Sequence, residues 1–272
     1  MLGKLMKYEL KACGRTFIPL YGAILLMSII VGFTINMEIV KISGIAMIVL
    51  FGLFVALGVL TIMITIQRFR KNLLEDEGYL MFTLPVTSKE LIFSKYGVAL
   101  IYTILSAIIS VFSFIIIILI PNINSFSLND LWYDMSTLLS EFSSMSNVFI
   151  YIVILALISY TIFILSLYLS VSMGQLPLFN KHRNIVAFIS FFAIYIAIGK
   201  VYELIAMLFR GNIEDHFMNI TINESSELSA LLADFSNVFS PIIIYDIVIY
   251  AIFAILLFFG ITYILDKKLN LE

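Results

Sequence analysis

Three ionisable residues, Lys200, Glu203 and Asp246, fall inside apolar stretches, where charge is costly and marks candidate functional positions. Lys200 and Glu203 are three apart, so a helix sets them on one face within pairing distance. Asp246 sits a few residues in from Pro241 in the last apolar run. Counted from His182–Asn184, Lys200 lies roughly 24 Å along its helix, near the far boundary of a bilayer rather than its midplane. Two readings fit the three residues: an outer-leaflet ion pair snorkelling to water, or an outer gate bridging two spans. A second set of charges lies between apolar runs, from Gln67 to Tyr96. There a basic cluster (Arg68, Arg70, Lys71) precedes an acidic triplet (Glu75, Asp76, Glu77), Gly78 breaks the pattern, and an apolar run from Tyr79 to Leu84 follows. Tyr79, Leu80, Phe82 and Leu84 can fill a groove on a partner, while the triplet pairs with that partner's basic residues. This is the chemistry of docking.

Motifs that make or break bonds are missing. Gly3-Lys4 and Gly199-Lys200 lack both the upstream glycine and the following Ser or Thr of a phosphate-binding loop. The histidines, His182 and His216, are expected on opposite sides of the membrane, and Cys13 is the single cysteine, so neither a metal site nor a disulfide is expected. No G-x-S-x-G nucleophile elbow occurs. The chain reads as non-catalytic and without a cofactor of its own.

The elements that must hold these residues are set by composition. Of 272 residues, 62% are hydrophobic and 12% charged, with a mean hydropathy of +1.09. That excludes a soluble domain and identifies an all-α integral membrane protein. Six apolar segments reach bilayer length: about 17–36, 42–66, 97–120, 148–171, 185–204 and 242–265. They form a single six-span transmembrane domain over 1–272. Residues 1–16 read as an interfacial amphipathic elbow helix, with Leu2, Leu5, Met6, Leu10 and Cys13 on one face and Lys4, Lys7, Lys11 and Arg15 on the other. Those four cations anchor it to the lipid bilayer. The N-terminus, the 67–96 and 172–184 loops and the C-terminal tail carry 13 of the 16 basic residues, which puts both termini in the cytoplasm. Outer loops are expected at 121–147 and 206–240, each with a short helix (Leu128 to Phe142; Leu228, Leu231, Leu232 and Phe235 at helical spacing). Within the cytoplasmic loop, Pro85 ends the apolar run, and Thr87 with Glu90 forms a T-x-x-E capping box that opens the third span. Thr61, Thr65, Ser106, Ser110, Ser113, Ser159, Thr161 and Ser166 are polar positions suited to packing between helices.

The run EDEGYLMFTLPVTSKELIFSK, from Glu75 to Lys95, resembles the signature loop of ABC-type exporter permeases of the type-2 class. In that class an acidic residue and a glycine (here Glu77 and Gly78) precede an apolar turn (Leu80 to Leu84), a Pro-Val-[Ser/Thr] step (Pro85-Val86-Thr87) and a helix ending in lysine (Lys95). The LMKYELK run from Leu5 to Lys11 is similar to the opening of bacterial members.

The resemblance implies a permease subunit without its own ATPase, in a bacterial plasma membrane. A separate cytoplasmic nucleotide-binding subunit, in two copies and carrying the ATP and Mg, would dock on a coupling helix at about Glu75 to Leu84. A second permease chain, identical or homologous, would complete the unit; no nucleic acid is involved. The expected function is ATP-driven export of a hydrophobic or amphipathic substrate such as a peptide, lipid or antimicrobial. The alternatives are a secondary transporter, for which the broken helices and midplane charges are missing, and a polytopic membrane protein without a transport role.

Overall fold

A computed structural model describes residues 2–37, 40–74, 87–121, 136, 146–176, 182–218 and 228–267. The described residues are helical, without strands, in six helices: α1 (Leu2–Asn36), α2 (Val40–Leu73), α3 (Ser88–Leu119), α4 (Ser146–Gly174), α5 (Arg183–Met218) and α6 (Leu228–Lys267). All six are long and apolar enough to cross a bilayer. Their outward faces carry large apolar side chains, among them Ile18, Ile48, Phe51 and Phe188, each more than 60% exposed. In water such a surface would aggregate; against lipid tails it is the expected exterior.

The chain divides into two compact units, residues 1–130 and 131–270. In the first, α1 and α3 make the most extensive contact and α2 packs mainly on α1. Cys13, Phe17, Ile24 and Val31 recur on one face of α1 and meet Ala46, Leu50 and Leu57 of α2 and Val98 and Tyr102 of α3. Helices α1 and α3 run parallel. The offset between facing positions stays nearly constant along the pair, 86 at Glu9–Lys95, 85 at Tyr21–Ser106 and 88 at Gly32–Ile120. Between them the Phe17 and Tyr102 rings stack at 4.5 Å. The Tyr21 hydroxyl donates to the Tyr102 carbonyl at 3.2 Å and lies 2.9 Å from Ser106 Oγ.

The second unit repeats the pattern, with α4 against α6 as its largest contact and α5 mainly on α4. On α6 the buried positions Ile249, Phe253, Leu257, Ile261 and Leu265 recur every fourth residue, forming the ridge that packs on α4. Gly174 ends α4 where α5 begins. A Cβ there would stand 2.6 Å from the Arg183 carbonyl oxygen and 3.2 Å from the Ala187 Cβ.

Three expectations change. The N-terminal amphipathic stretch is not a separate helix: α1 is continuous from Leu2 to Asn36, with Pro19 inside it. Pro19 removes one backbone donor, but the Phe17–Tyr102 stack holds that turn against α3. The stretch expected as outer loop 206–240 is mostly helix, since α5 extends to Met218 and α6 begins at Leu228 and runs through Pro241. The Leu228–Phe235 periodicity therefore marks the start of the last helix rather than an isolated one. Of the polar positions, Thr61, Thr65, Ser110 and Thr161 donate to carbonyls four residues back in their own helices. Ser106 differs, pairing across to Tyr21. The helix expected between Leu128 and Phe142 lies outside the described residues except for Ser136.

Replacing Gly174 by alanine is expected to lower the thermal midpoint of the detergent-solubilised protein, because overpacking against backbone costs about 1–3 kcal/mol. Gly52→Ala, where nothing lies within 4 Å of the new Cβ, should leave that midpoint unchanged in the same assay.

Candidate functional site

The expected docking residues Glu75, Asp76, Glu77, Gly78, Tyr79, Leu80, Phe82 and Leu84 lie outside the described residues. The two ends of that segment are described, and both are fixed. On the α2 side Phe69, Leu73 and Leu74 are buried. On the α3 side the Thr87 side chain accepts from the Glu90 N–H, and the Thr87 N–H donates to Glu90 Oε2 at 3.0 Å, completing the expected capping box. Leu91, Ile92 and Ser94 then turn inward and are fully buried.

The two ends meet on a single carboxylate. Glu9 of α1 is buried and paired with the buried ammonium of Lys95 of α3. Its second oxygen, Oε2, faces the Arg68 guanidinium of α2 at 4.0 Å. Lys95 is 3% exposed, whereas the Arg68 side chain is 36% exposed and keeps contact with water. Two turns further along α3, the Tyr102 hydroxyl donates to the Leu10 carbonyl at 2.7 Å, and Cys13 is buried beneath. Glu9 therefore clasps α2 just before the expected docking segment and α3 just after it.

This clasp was not expected, although its signal is in the sequence. Glu9 lies on the apolar stripe of α1, one turn from Met6 and Cys13, and away from Lys4, Lys7, Lys11 and Arg15, which are all exposed. Lys95 likewise interrupts the buried stripe Leu91, Ile92, Val98, Ala99 and Tyr102. A lone acid and a lone base on two apolar stripes call for each other, because an unpaired buried charge is prohibitive.

The other candidates separate into two groups within the second unit. Lys200 and Glu203 pair on the surface of α5, Nζ to Oε2 at 2.7 Å, with side chains 72% and 50% exposed. Asp246 of α6 joins a different partner, accepting from the Tyr202 hydroxyl at 2.7 Å beside the Tyr250 ring. The α5–α6 link is thus carboxylate to phenol, and Tyr202 is the residue that sequence reasoning left out. Among the described residues no group of acids, histidines and cysteine is disposed to hold a metal.

Removing one half of the clasp leaves the other charged and buried. Glu9→Ala is expected to cost about 3–5 kcal/mol, read as a lowered thermal midpoint in detergent. Glu9→Leu with Lys95→Leu should recover most of that loss. Exchanging the charges, Glu9→Lys with Lys95→Glu, should not, because Arg68 would then face a like charge.

Residues 15–143 match the family model described as ABC-2 family transporter protein. The matched stretch takes in α1 from Arg15, all of α2 and α3, and residues 75–86 between them. No curated protein and no solved structure matches the chain. The family match covers just under half of the chain and contains both Arg68 and Lys95; with six helices of bilayer length it supports an ABC-2 type permease, a transmembrane subunit of an ABC transporter.

Proposed function

We propose that this permease exports a hydrophobic or amphipathic substrate, driven by ATP hydrolysis in a separate cytoplasmic subunit that docks on the segment from Glu75 to Leu84. The observation that carries the reading is the clasp: Glu9 ties together the helices that enter and leave this segment. A force applied to the segment reaches α1 and α3 together, because neither can yield alone without stranding a buried charge, and it reaches α2 through the Arg68 contact with the same carboxylate. The apolar residues Tyr79, Leu80, Phe82 and Leu84 give the partner a surface to grip, and Glu75, Asp76 and Glu77 give it charges to read.

Two ATPase copies and a second permease chain, identical or homologous, complete the working unit, with both termini of this chain in the cytoplasm of a bacterial cell. ATP and Mg belong to the partner, since this chain has no phosphate-binding loop. Substrate class follows from the spans, which carry long apolar faces and whose charged residues Lys200, Glu203 and Asp246 keep to α5 and α6. The Tyr202–Asp246 bond between those helices serves as an outer gate, and Lys200–Glu203 as a surface pair beside it.

Purification from native cells in mild detergent should bring down a stoichiometric protein that hydrolyses ATP. Leu80→Asp with Phe82→Asp should release it while the six spans remain inserted. An ATPase retained by that double variant would overturn the docking assignment, and a preparation free of any ATPase would overturn the exporter reading.

A further inference from the structure

We propose that a groove on the α1–α3 pair holds one anionic phospholipid, its phosphate between Lys11 and Arg15. The groove, of about 460 Å³, is lined by Leu10, Lys11, Gly14, Arg15, Ile18 and Pro19 of α1 and by Tyr102 of α3. Lys11 and Arg15 are four apart and so stand one above the other on the same face, about one helical turn from each other. Both are exposed, and neither has an ion-pair partner among the described residues. The acid nearest to them in sequence, Glu9, is already committed to Lys95 and Arg68. Two cations with no ion-pair partner among the described residues therefore border a cavity whose walls are otherwise apolar.

Depth along α1 matches the charge to a lipid. The apolar run from Phe17 to Asn36 supplies the roughly 20 residues that a hydrocarbon core of about 30 Å needs. Arg15 and Lys11 then fall just outside the core, at headgroup level, while Ile18 and Pro19 enter its edge. A phosphate at the cations and an acyl chain running past Gly14, Ile18 and Pro19 would follow the groove in the direction it already takes. Gly14 keeps the floor low, for a Cβ there would already lie 3.1 Å from the Tyr102 hydroxyl and 3.5 Å from Ile18 Cδ1. A free inorganic phosphate would use the cations and leave the apolar wall idle. Lys4 and Lys7, further out on α1 and absent from the lining, are left for diffuse attraction to the membrane surface. The site depends on α1 crossing the membrane and not on the exporter reading.

Lipid retention by the full chain in mild detergent can be read by native mass spectrometry, titrating phosphatidylglycerol against phosphatidylcholine of identical chains. One phosphatidylglycerol per chain should be retained in preference to phosphatidylcholine. Lys11→Gln with Arg15→Gln should weaken that retention tenfold or more. Ile18→Trp should do the same with both cations intact; Ile18 is exposed, so the change leaves the core alone, and an unchanged thermal midpoint confirms folding. Lys4→Gln with Lys7→Gln should have no effect. Equal loss in the Lys4/Lys7 variant together with full retention by Ile18→Trp would overturn the site in favour of diffuse electrostatics. Displacement of the lipid by millimolar inorganic phosphate would overturn it in favour of a simple anion site.

Discussion

A carboxylate and an ammonium removed from water must find each other or not be buried at all, and the first unit is arranged around that demand. Glu9 and Lys95 are nearly inaccessible, so neither helix can move away from the other without exposing a charge to an apolar wall. Arg68, held on the second carboxylate oxygen, adds α2 to the same constraint. Such a pair contributes little net stability compared with well-packed apolar side chains, but it is highly selective for one register. Register is what this unit needs: α1 and α3 run in parallel with no short loop between them, and apolar faces alone could slide by a turn.

The remaining polar contacts of the unit repeat the same logic at lower cost. Tyr102 donates to the Leu10 carbonyl, and Tyr21 reaches Tyr102 and Ser106, so two positions of α1, three turns apart, are indexed against α3. In the second unit the Tyr202–Asp246 bond plays this part between α5 and α6, while the main contact, α4 on α6, is a ridge of aliphatic and aromatic residues every fourth position. The two units share an order of packing but not a means of fixing it.

Much of this was legible in the chain. Long apolar runs gave the six helices, because a segment of that length and composition has few other fates. The Thr87–Glu90 spacing gave the start of α3 to the residue, since a capping box is a local geometry that needs no tertiary contact. Helix ends set by continuity were less visible. In the sequence the stretch before Phe17 and the stretch before Pro241 look like separate pieces, because charge and proline punctuate the pattern there. Proline at those points interrupts a hydrogen bond without ending the helix. The clasp itself was hidden for a different reason. Glu9 sits among lysines, where an acid reads as ordinary surface, and only the stripe it occupies reveals it as buried. Pairing across 86 positions is a tertiary fact, and Tyr202, as one aromatic among many, gave no sign of holding Asp246.

The parallel pair α1 and α3 is fastened at both extremities, by Glu9–Lys95 at one end and by the close approach of Gly32 to Ile120 at the other, where a Cβ would come within 2.8 Å. Two rods joined at both ends behave as a beam. They cannot shear past one another, so a displacement introduced at the capped start of α3 has only tilt and rotation left to it. Over the 32 residues of α3, about 48 Å at helical rise, a tilt of about 5° carries the far end roughly 4 Å. A small movement on one side of the membrane thus becomes a side-chain-sized opening on the other, without any bond inside the beam being broken.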